Sequence, residues 1–300
     1  MKPSRHEEKT RVIRVQYRSF TGILKQAEFA GKFLVAMVVF AVAGNLFVDW
    51  QNQSQSRSES HSGVERRWQH ARIRADSAVK LMTRAQKEDT VFGTGWRGGP
   101  CTGHILPQPH VGLKTGLCLQ DSPMGIRFAD NVSAFPSGLN VATSFDKHLM
   151  RTYGEKLGAE FRAVGAHIAL GPMTNLMRAH AAGRNWEGPG GDPYLAAVSA
   201  SHIATGIQSQ GVISTVKHFI ANEQEHFRSD SSSNLDKRTL MEVYMAPFEA
   251  CVRAGVAAVM CSYNRLNQVY TCANDDLVNN ILKGPDIDFQ GFVLTDWDAH

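Results

Sequence analysis

The sequence of 300 residues lacks the patterns that mark several common protein classes. No GxGxxG motif follows any of the predicted strands, so neither a dinucleotide-binding sheet nor another cofactor is indicated. There is no CxxC pair and no histidine cluster at ligand spacing, and we therefore predict no bound metal ion. Beyond residue 32 there is no basic stripe with interleaved aromatic residues, so a nucleic-acid partner is not expected.

The positive charge is concentrated at one end of the chain. The formal net charge is +4 at pH 7, yet residues 1–32 alone contain eight Lys or Arg residues against three Glu residues. The uncharged run Phe33 to Val48 follows, and as a helix it would rise about 24 Å, slightly less than a bilayer's hydrocarbon core. We interpret 1–32 as a basic cytosolic tail, 33–49 as a transmembrane signal anchor and 50–65 as a linker. A cleaved leader and a buried core helix are the alternatives.

The charge pattern also predicts a location. By the positive-inside rule, the residues after the anchor are exported, as in a single-pass type II membrane protein at the cell surface. If the leader is cleaved, the protein is secreted instead. The sequons at Asn52 and Asn131 are candidate N-glycosylation sites and are compatible with export.

All five cysteines follow the apolar run, as expected for an exported domain. Cys101 and Cys118 bracket one loop rich in turn-forming residues, and Cys261 and Cys272 bracket another. These spacings suit two local disulfides in an oxidising compartment. Cys251 falls within a predicted helix and would remain a buried thiol.

From residue 66 onward, helical and apolar segments alternate. The predicted helices span about 66–88, 146–164, 193–208, 237–254 and 275–283, and 93–136 is irregular. The apolar runs are 138–143, 167–172, 212–216, 256–261 and 292–295. Such alternation indicates parallel strands that are buried on both faces, in either a doubly wound sheet or a barrel.

Polar side chains at the ends of three apolar runs favour the barrel. Lys217 and His218 end one run, Tyr263 follows the next, and Asp296 follows the last. Polar groups at the C-terminal ends of several strands form the active sites of TIM-type (β/α)8 barrels. The pattern therefore predicts such a barrel over residues 66–300.

Five segments in this region resemble the landmarks of family 3 glycoside hydrolases of the fungal β-glucosidase type. In chain order they are GLCLQDSPMGIR, GRNWEG, VKHFIANEQEHFR, AVMCSYN and GFVLTDW. The resemblance implies that 66–300 is the family's N-terminal (β/α) barrel domain, incomplete at its C-terminus. It also implies a retaining β-glucosidase that hydrolyses terminal β-D-glucosyl residues of cellobiose, cello-oligosaccharides and aryl glucosides.

The resemblance assigns roles to the polar residues at the strand ends. Asp296 corresponds to the family's nucleophile, which attacks the anomeric carbon and forms a covalent glycosyl-enzyme. Asp121 would accept hydrogen bonds from the 4- and 6-hydroxyls of the −1 glucose, supported by Arg127. Tyr263 would donate to Asp296 and limit its rotamers.

The remaining motif residues would surround the sugar. Arg184, Lys217 and His218 are implied to bind hydroxyl groups through charge-assisted or imidazole hydrogen bonds. Met260 and Trp297 would line the pocket, Trp297 as an apolar wall. The neighbouring acidic and basic side chains are expected to pair among themselves: Glu187, Glu223, Glu225, His226 and Arg228.

Hydrolysis requires one more group than the sequence supplies. A retaining glycosidase needs a protonated carboxyl about 5–5.5 Å from the nucleophile, and no residue here is assigned to that role. The family resemblance places this Glu on a following domain, so we expect the 300-residue chain alone to be inactive. A membrane-tethered sugar-binding pseudoenzyme and a β-xylosidase of the same family are the alternatives. The oligomeric state is not predicted.

Overall fold

A computed structural model describes residues 63–95, 101–121 and 123–299. The predicted tail, the predicted anchor at 33–49, the sequon at Asn52 and most of the predicted linker lie outside these residues. The linker prediction is wrong at its end, because 63–65 already belong to a helix. Within the described part of the chain, no helix has both the length and the apolar character needed to cross a bilayer.

Two helices open the described chain, where the sequence analysis predicts one. Residues 63–81 form α1 and Arg84–Phe92 form α2. Between them, Oγ1 of Thr83 accepts from the backbone N–H of Gln86, and Oε1 of Gln86 accepts from the backbone N–H of Thr83. This reciprocal capping box begins a new helix at Arg84, so the single helix over 66–88 is wrong.

A six-stranded sheet holds the candidate site. Its strands are β1 (Gly103–Ile105), β2 (Leu117–Gln120), β3 (Ile168–Ala169), β4 (Ile213–Phe219), β6 (Ala258–Cys261) and β9 (Phe292–Thr295), in that spatial order. β1 and β2 are antiparallel, and every later pair is parallel. A small second sheet contains β5 (Ser232–Ser233), β7 (Arg265–Leu266) and β8 (Val269–Tyr270).

Helices connect the parallel strands, as the alternating pattern predicts. They are α3 (Gly138–Ala142), α4 (Lys147–Ala163), α5 (Pro193–Ser209), α6 (Lys237–Thr239) and α7 (Ala246–Arg253), with π-helical turns at Leu240–Tyr244 and Asp276–Leu282. The run 138–143 forms α3 rather than a strand. Ser137 caps it by accepting a hydrogen bond from the backbone N–H of Asn140. This bond satisfies one of the N–H groups that have no partner within the first turn of a helix.

The main core lies between the sheet and α4, α5 and α7. Phe161, Ile207, Phe219 and Phe248 are fully buried in it. α4 packs closely against α5 because Gly154 has no side chain: a Cβ there would lie 2.2 Å from the carbonyl oxygen of Ile203. This close packing supports the strands from outside and leaves their other face for a second, interior cluster.

The sheet is curled, as a barrel wall requires. Five inter-strand spacings of about 4.8 Å would hold the edges of a flat sheet about 24 Å apart. Instead, Nε1 of Trp297, just after β9, donates to the carbonyl oxygen of Thr102, just before β1, over 2.9 Å. Inside the curl, Ile168, Leu170 and Met260 form a buried apolar cluster. Among the described residues β1 and β9 do not pair, so the described sheet is an open, barrel-like wall.

Both predicted disulfides are confirmed. Cys101 bonds to Cys118, and Cys261 bonds to Cys272. Cys251 is a free, buried thiol, as predicted, and burial raises its pKa. The first disulfide ties the segment before β1 to β2, and the second ties β6 to the turn that follows β8.

Candidate active site

The predicted site residues converge at one rim of the curled sheet. Asp121 follows β2, Lys217 and His218 lie at the C-terminal end of β4, Tyr263 follows β6, and Asp296 follows β9. The register of β4 against β6 shifts between Val216 and Phe219, so the strand is irregular where it carries its polar pair. Because these strands are parallel, their carboxyl ends share one edge, and the side chains meet there.

Asp121 is a buried carboxylate between two cations. The Nζ atom of Lys217 donates to its Oδ1 over 2.6 Å, and Nη2 of Arg127 lies 3.3 Å from its Oδ2. Burial raises the pKa of Asp121, but Lys217 and two nearby arginines lower it by more, so the net pKa lies below the ordinary value of 3.8. Asp121 is therefore ionised, and Lys217 is first of all its partner.

His218 is a neutral imidazole whose tautomer can be deduced from its contacts. The Oδ1 atom of Asn175 accepts from the backbone N–H of His218 over 2.8 Å and also faces Nδ1 over 3.0 Å. A backbone N–H can only donate, so this atom is an acceptor, and Nδ1 carries the ring proton. Burial, followed by the charge of Lys217, holds the pKa of His218 well below its usual value.

Nε2 of His218 consequently carries no proton and can only accept a hydrogen bond. Nη1 of Arg184 donates to it over 3.3 Å. Asn175 carries no signal in the sequence, because nothing near it in the chain marks it as a partner of a residue 43 positions away. The imidazole therefore accepts from Arg184 through Nε2, and it is not a charged donor in the cleft.

Arg184 is heavily committed to the protein itself. Its guanidinium makes a bidentate pair with Glu187, with distances of 2.8 Å (Nε–Oε1) and 3.0 Å (Nη2–Oε2). Nη1 also lies 3.6 Å from Oε1 of Glu225. Burial lowers the pKa of Arg184, but Glu187, Glu225 and Asp121 together raise it by more, so the side chain stays in its charged form. The expected pairing of Glu187 and Glu225 with neighbouring cations is confirmed.

Asp296 differs from Asp121 in its surroundings. The backbone N–H of Trp297 donates to its Oδ1 over 3.1 Å, and Nε2 of neutral His218 lies 3.6 Å from Oδ2. The Tyr263 hydroxyl is near enough to lower the pKa of Asp296 by hydrogen bonding. Burial raises the pKa of Asp296, although Lys217 and the Tyr263 hydrogen bond oppose it. The cleft thus contains two carboxylates whose environments shift their pKa values in opposite directions, a pattern typical of divided catalytic roles.

The ring of Tyr263 packs against the guanidinium of Arg228. The Cζ atom of Arg228 lies 4.3 Å from the centre of the Tyr263 ring, and Nη1 of Arg228 pairs with Oε2 of Glu225 over 2.7 Å. Burial, with the adjacent charge of Asp296, raises the pKa of Tyr263 to about 12. Tyr263 therefore stays protonated and can act only as a donor towards Asp296.

The side chains of the two apolar candidates, Met260 and Trp297, contact the interior cluster. Met260 is 2% exposed and belongs to the interior cluster beneath the rim. Trp297 is half-buried against the same cluster, with its indole N–H used by Thr102. The predicted pocket-lining roles of both residues stay predictions.

Glu223 supports the His218 side of the cleft from below. Its Oε1 accepts from Nδ2 of Asn175 and from the backbone N–H of Leu176, each over 3.3 Å. Burial raises the pKa of Glu223 to about 7. The sequence analysis grouped Glu223 with the internally paired residues, and its bonds are indeed to the protein.

Two further candidate sites lie outside the cleft. The ligand atoms of Cys101, His104 and Cys118 lie within 4.8 Å of one another, but both sulfurs are committed to the disulfide and offer no thiolate. Asn131 is exposed on a loop, as a glycosylation site requires, and its modification stays a prediction.

A protein-family comparison identifies the domain that contains the cleft. Residues 118–299, more than half of the chain, match the family described as glycosyl hydrolase family 3 N terminal domain. This interval contains the polar strand ends described above, from the disulfide-bonded Cys118 on β2 to the residues just after Asp296.

Curated relatives and solved structures agree with this match. The chain is 43% identical to probable beta-glucosidase L of Emericella nidulans over 233 residues (77% of this chain, 31% of the relative). It is 46% identical to probable beta-glucosidase A of Aspergillus flavus over 247 residues (78% of this chain, 28% of the relative). The beta-glucosidase D2-BGL structure from Chaetomella raphigera has a TM-score of 0.75 at 44% identity, covering 78% of this chain and 32% of that one. The beta-D-glucoside glucohydrolase structure from Trichoderma reesei has a TM-score of 0.74 at 41% identity, covering 78% and 33%. The chain thus spans about a third of the length of these relatives.

Proposed function

The chain belongs to glycosyl hydrolase family 3, and from this premise we propose that its barrel wall carries the nucleophile side of a retaining β-glucosidase, with Asp296 as the nucleophile. The observation that carries the proposal is the contrast between Asp296 and Asp121. Asp121 contacts two cations directly, whereas the hydrogen-bonding contacts of Asp296 are neutral. A carboxylate that lies in a cleft without a direct Lys or Arg partner is free to attack.

The proposed reaction has two displacements. An oxygen of Asp296 attacks C1 of a β-glucosyl residue while the bond from C1 to the leaving oxygen breaks, and that oxygen takes the electron pair and a proton. The product is an α-glycosyl ester on Asp296. Water then attacks C1 and gives up a proton to solvent or a base, and the ester bond breaks with its electron pair returning to the Asp296 carboxylate. Glucose leaves with the β-configuration restored.

The same cleft supplies hydrogen-bonding groups for the sugar. Ionised Asp121 accepts from two hydroxyl donors, and Lys217 and Arg127 keep it ionised. Nε2 of His218 lies 3.6 Å from Asp296 and would accept from the sugar only in exchange for its bond from Arg184. We propose terminal glucosyl residues of cellobiose, cello-oligosaccharides and aryl glucosides as substrates, in keeping with the names of the relatives.

The general acid is not among the described groups of this cleft. Asp121, Glu187 and Glu225 are all ion-paired, which disfavours the protonated form that an acid needs. Glu223 has a pKa of about 7, suitable for an acid, but its oxygen is bonded to Asn175 and Leu176. We therefore propose that the 300-residue chain by itself turns over ordinary glucosides very slowly.

Trapping the glycosyl ester tests the nucleophile without requiring the acid. In 2-deoxy-2-fluoro-β-D-glucosyl fluoride, fluoride departs with the C1–F electron pair and needs no proton, so labelling depends on the attacking carboxylate. We expect mass spectrometry to find one fluoroglucosyl adduct on the peptide containing Asp296. Asp296→Asn should abolish it, and Asp298→Asn, an exposed neighbour, should retain it.

Two results would contradict the proposal. An adduct on a different carboxylate would mean that Asp296 is not the nucleophile. If calorimetry detects glucose binding but no adduct forms in the wild-type chain, the sugar-binding pseudoenzyme is favoured instead.

A further inference from the structure

We propose that Glu225 is a positioning residue that holds Arg228 against Tyr263 and thereby keeps the Tyr263 hydroxyl on Asp296. The proposal rests on the proposed function, because it gives a purpose to contacts around the same nucleophile. Glu225 touches none of the reacting atoms, so its effect on Asp296 must pass through Arg228 and Tyr263.

The carboxylate of Glu225 lies between Arg184 and Arg228. Its Oε2 pairs with Nη1 of Arg228 over 2.7 Å, and its Oε1 lies 3.6 Å from Nη1 of Arg184. Its side chain is 20% exposed, so these pairs are partly shielded from water. One carboxylate therefore connects the Arg184–His218 side of the cleft with the Arg228–Tyr263 side.

The backbone anchors Glu225 where both arginines can reach it. Its N–H donates to the carbonyl oxygen of Ala182 over 3.0 Å. Gly183 has a φ of +104°, and a Cβ there would lie only 3.1 Å from Cβ of Glu225. The loop that leads into Arg184 is thus packed directly on Glu225, which leaves its carboxylate little freedom to move.

Arg228 contacts both Glu225 and the ring of Tyr263, and so it links the two residues. Its Cζ atom lies 4.3 Å from the ring centre, within the distance at which a guanidinium is attracted to an aromatic face. The ion pair with Glu225 holds Nη1 of Arg228 in place. Because the guanidinium is planar, restraining this atom helps to keep the group against the Tyr263 ring. The Tyr263 ring is therefore confined to the orientation in which its hydroxyl donates to Asp296.

Removing the negative charge of Glu225 should be felt at Asp296. In Glu225→Gln the guanidinium of Arg228 loses its charged partner and is repelled by Arg184, so it leaves the Tyr263 ring. Tyr263 then gains rotamers and spends less time bonded to Asp296. Both the Tyr263 hydrogen bond and the charge of Arg228 lower the pKa of Asp296. Weakening this bond and moving this charge away should therefore raise the pKa.

The test uses the full 300-residue chain and two measurements. The first is the rate of labelling by 2-deoxy-2-fluoro-β-D-glucosyl fluoride as a function of pH. The second is the pKa of Asp296, followed by carboxyl ¹³C NMR and assigned with Asp296→Asn. The variants are Glu225→Gln, Tyr263→Phe and their combination. The matched control is Glu242→Gln, which removes an exposed Glu–Arg pair with Arg238.

In Glu225→Gln we expect labelling to slow by about tenfold and the acid limb of its pH profile to move to higher pH. In the Tyr263→Phe background the same substitution should change the rate by less than about twofold, because the two residues act as a unit. Glu242→Gln should match the wild type. An equal loss in both backgrounds, or an unchanged pH limb, would overturn the proposal.

Two complications remain distinguishable from this outcome. If the wild-type chain is not labelled, the proposed function fails. The NMR measurement still tests the role of Glu225, because the pKa of Asp296 must rise in Glu225→Gln. An unchanged pKa refutes that role. If circular dichroism shows that Glu225→Gln does not fold, Arg228→Lys replaces it. Lys keeps the charge but loses the planar face, so the same shift is expected, and its absence would refute the proposal.

Discussion

The Nε2 atom of His218 lies 3.6 Å from Oδ2 of Asp296, and yet the two groups do not form an ion pair. Asn175 accepts from Nδ1, so the ring proton is on the nitrogen that points away from Asp296. Burial and the three nearby cations Lys217, Arg184 and Arg228 keep the imidazole neutral. Two acceptors therefore face each other across this gap. A sugar hydroxyl placed in this gap would donate to Asp296, because the single lone pair of Nε2 already accepts from Arg184.

Asn175→Asp should convert this contact into an ion pair. A carboxylate at Nδ1 stabilises the imidazolium, so the pKa of His218 should rise, and the charged ring should then pair with Asp296. We expect labelling by the fluoro-sugar to slow by about tenfold or more, because the nucleophile is neutralised. ¹⁵N NMR of the imidazole reports the protonation state. A neutral His218 in this variant at pH 6 would contradict the tautomer assignment.

Asp121→Asn should destabilise the fold as well as weaken sugar binding. The side chain of Lys217 is 3% exposed, and losing its anionic partner leaves an unpaired buried charge, at a cost of about 3–5 kcal/mol in the free energy of unfolding. Urea denaturation at pH 7 measures this cost. Asp130→Asn, at an exposed position, is the control and should be within about 0.5 kcal/mol of the wild type.

The same residue predicts how stability responds to acid. The pKa of Asp121 is lowered in the folded state, so its contribution is complete above the ordinary value of 3.8 and is lost as the pH falls through the lower folded-state pKa. The difference in stability between the wild type and Asp121→Asn should therefore shrink below pH 4. A difference that is constant down to pH 2 would mean that the Lys217 pair does not stabilise the ionised form.

Glu223 should have the opposite pH dependence. Its pKa rises from an ordinary value of 4.5 to about 7, so between these values the folded state holds more protons than the unfolded state. Stability should fall as the pH rises through this window. Glu223→Gln has no proton to lose, and at pH 8 it should be more stable than the wild type by roughly 1–3 kcal/mol. Thermal melts at pH 4 and pH 8 measure the change, and equal differences at both pH values would refute it.

The disulfides give a prediction that needs no ligand. After unfolding without reductant, thiol titration should detect only Cys251, and reduction should reveal all five cysteines. Replacing both Cys101 and Cys118 with Ser should lower the free energy of unfolding by about 3 kcal/mol, the loop-closure effect for a separation of 17 residues. Cys251→Ser serves as the comparison, and the detection of three or more thiols before reduction would contradict the pairing.

Local features of the fold could be predicted because their causes are close together in the chain. Alternating apolar and helical segments identified β4, β6 and β9, and the polar residues that follow these strands had to share one rim. Two local signals were available but missed: the Thr83–Gln86 capping box that divides the first helix, and Ser137, which caps α3. In both places hydrogen bonds at a helix end outweighed the apolar pattern.

The sequence alone determined the family, the barrel-like class of fold, the two disulfides and the rim to which Asp121, Lys217, His218, Tyr263 and Asp296 belong. Only the tertiary structure decided which partner each of these groups contacts. Lys217 meets Asp121 across 96 positions of sequence, and Asn175 meets His218 across 43. Such pairings depend on how the strands and loops approach one another, and they set the charge of each group. That is why the neutral state of His218, and the position of Asp296 without a directly bonded Lys or Arg, could be seen only in the folded chain.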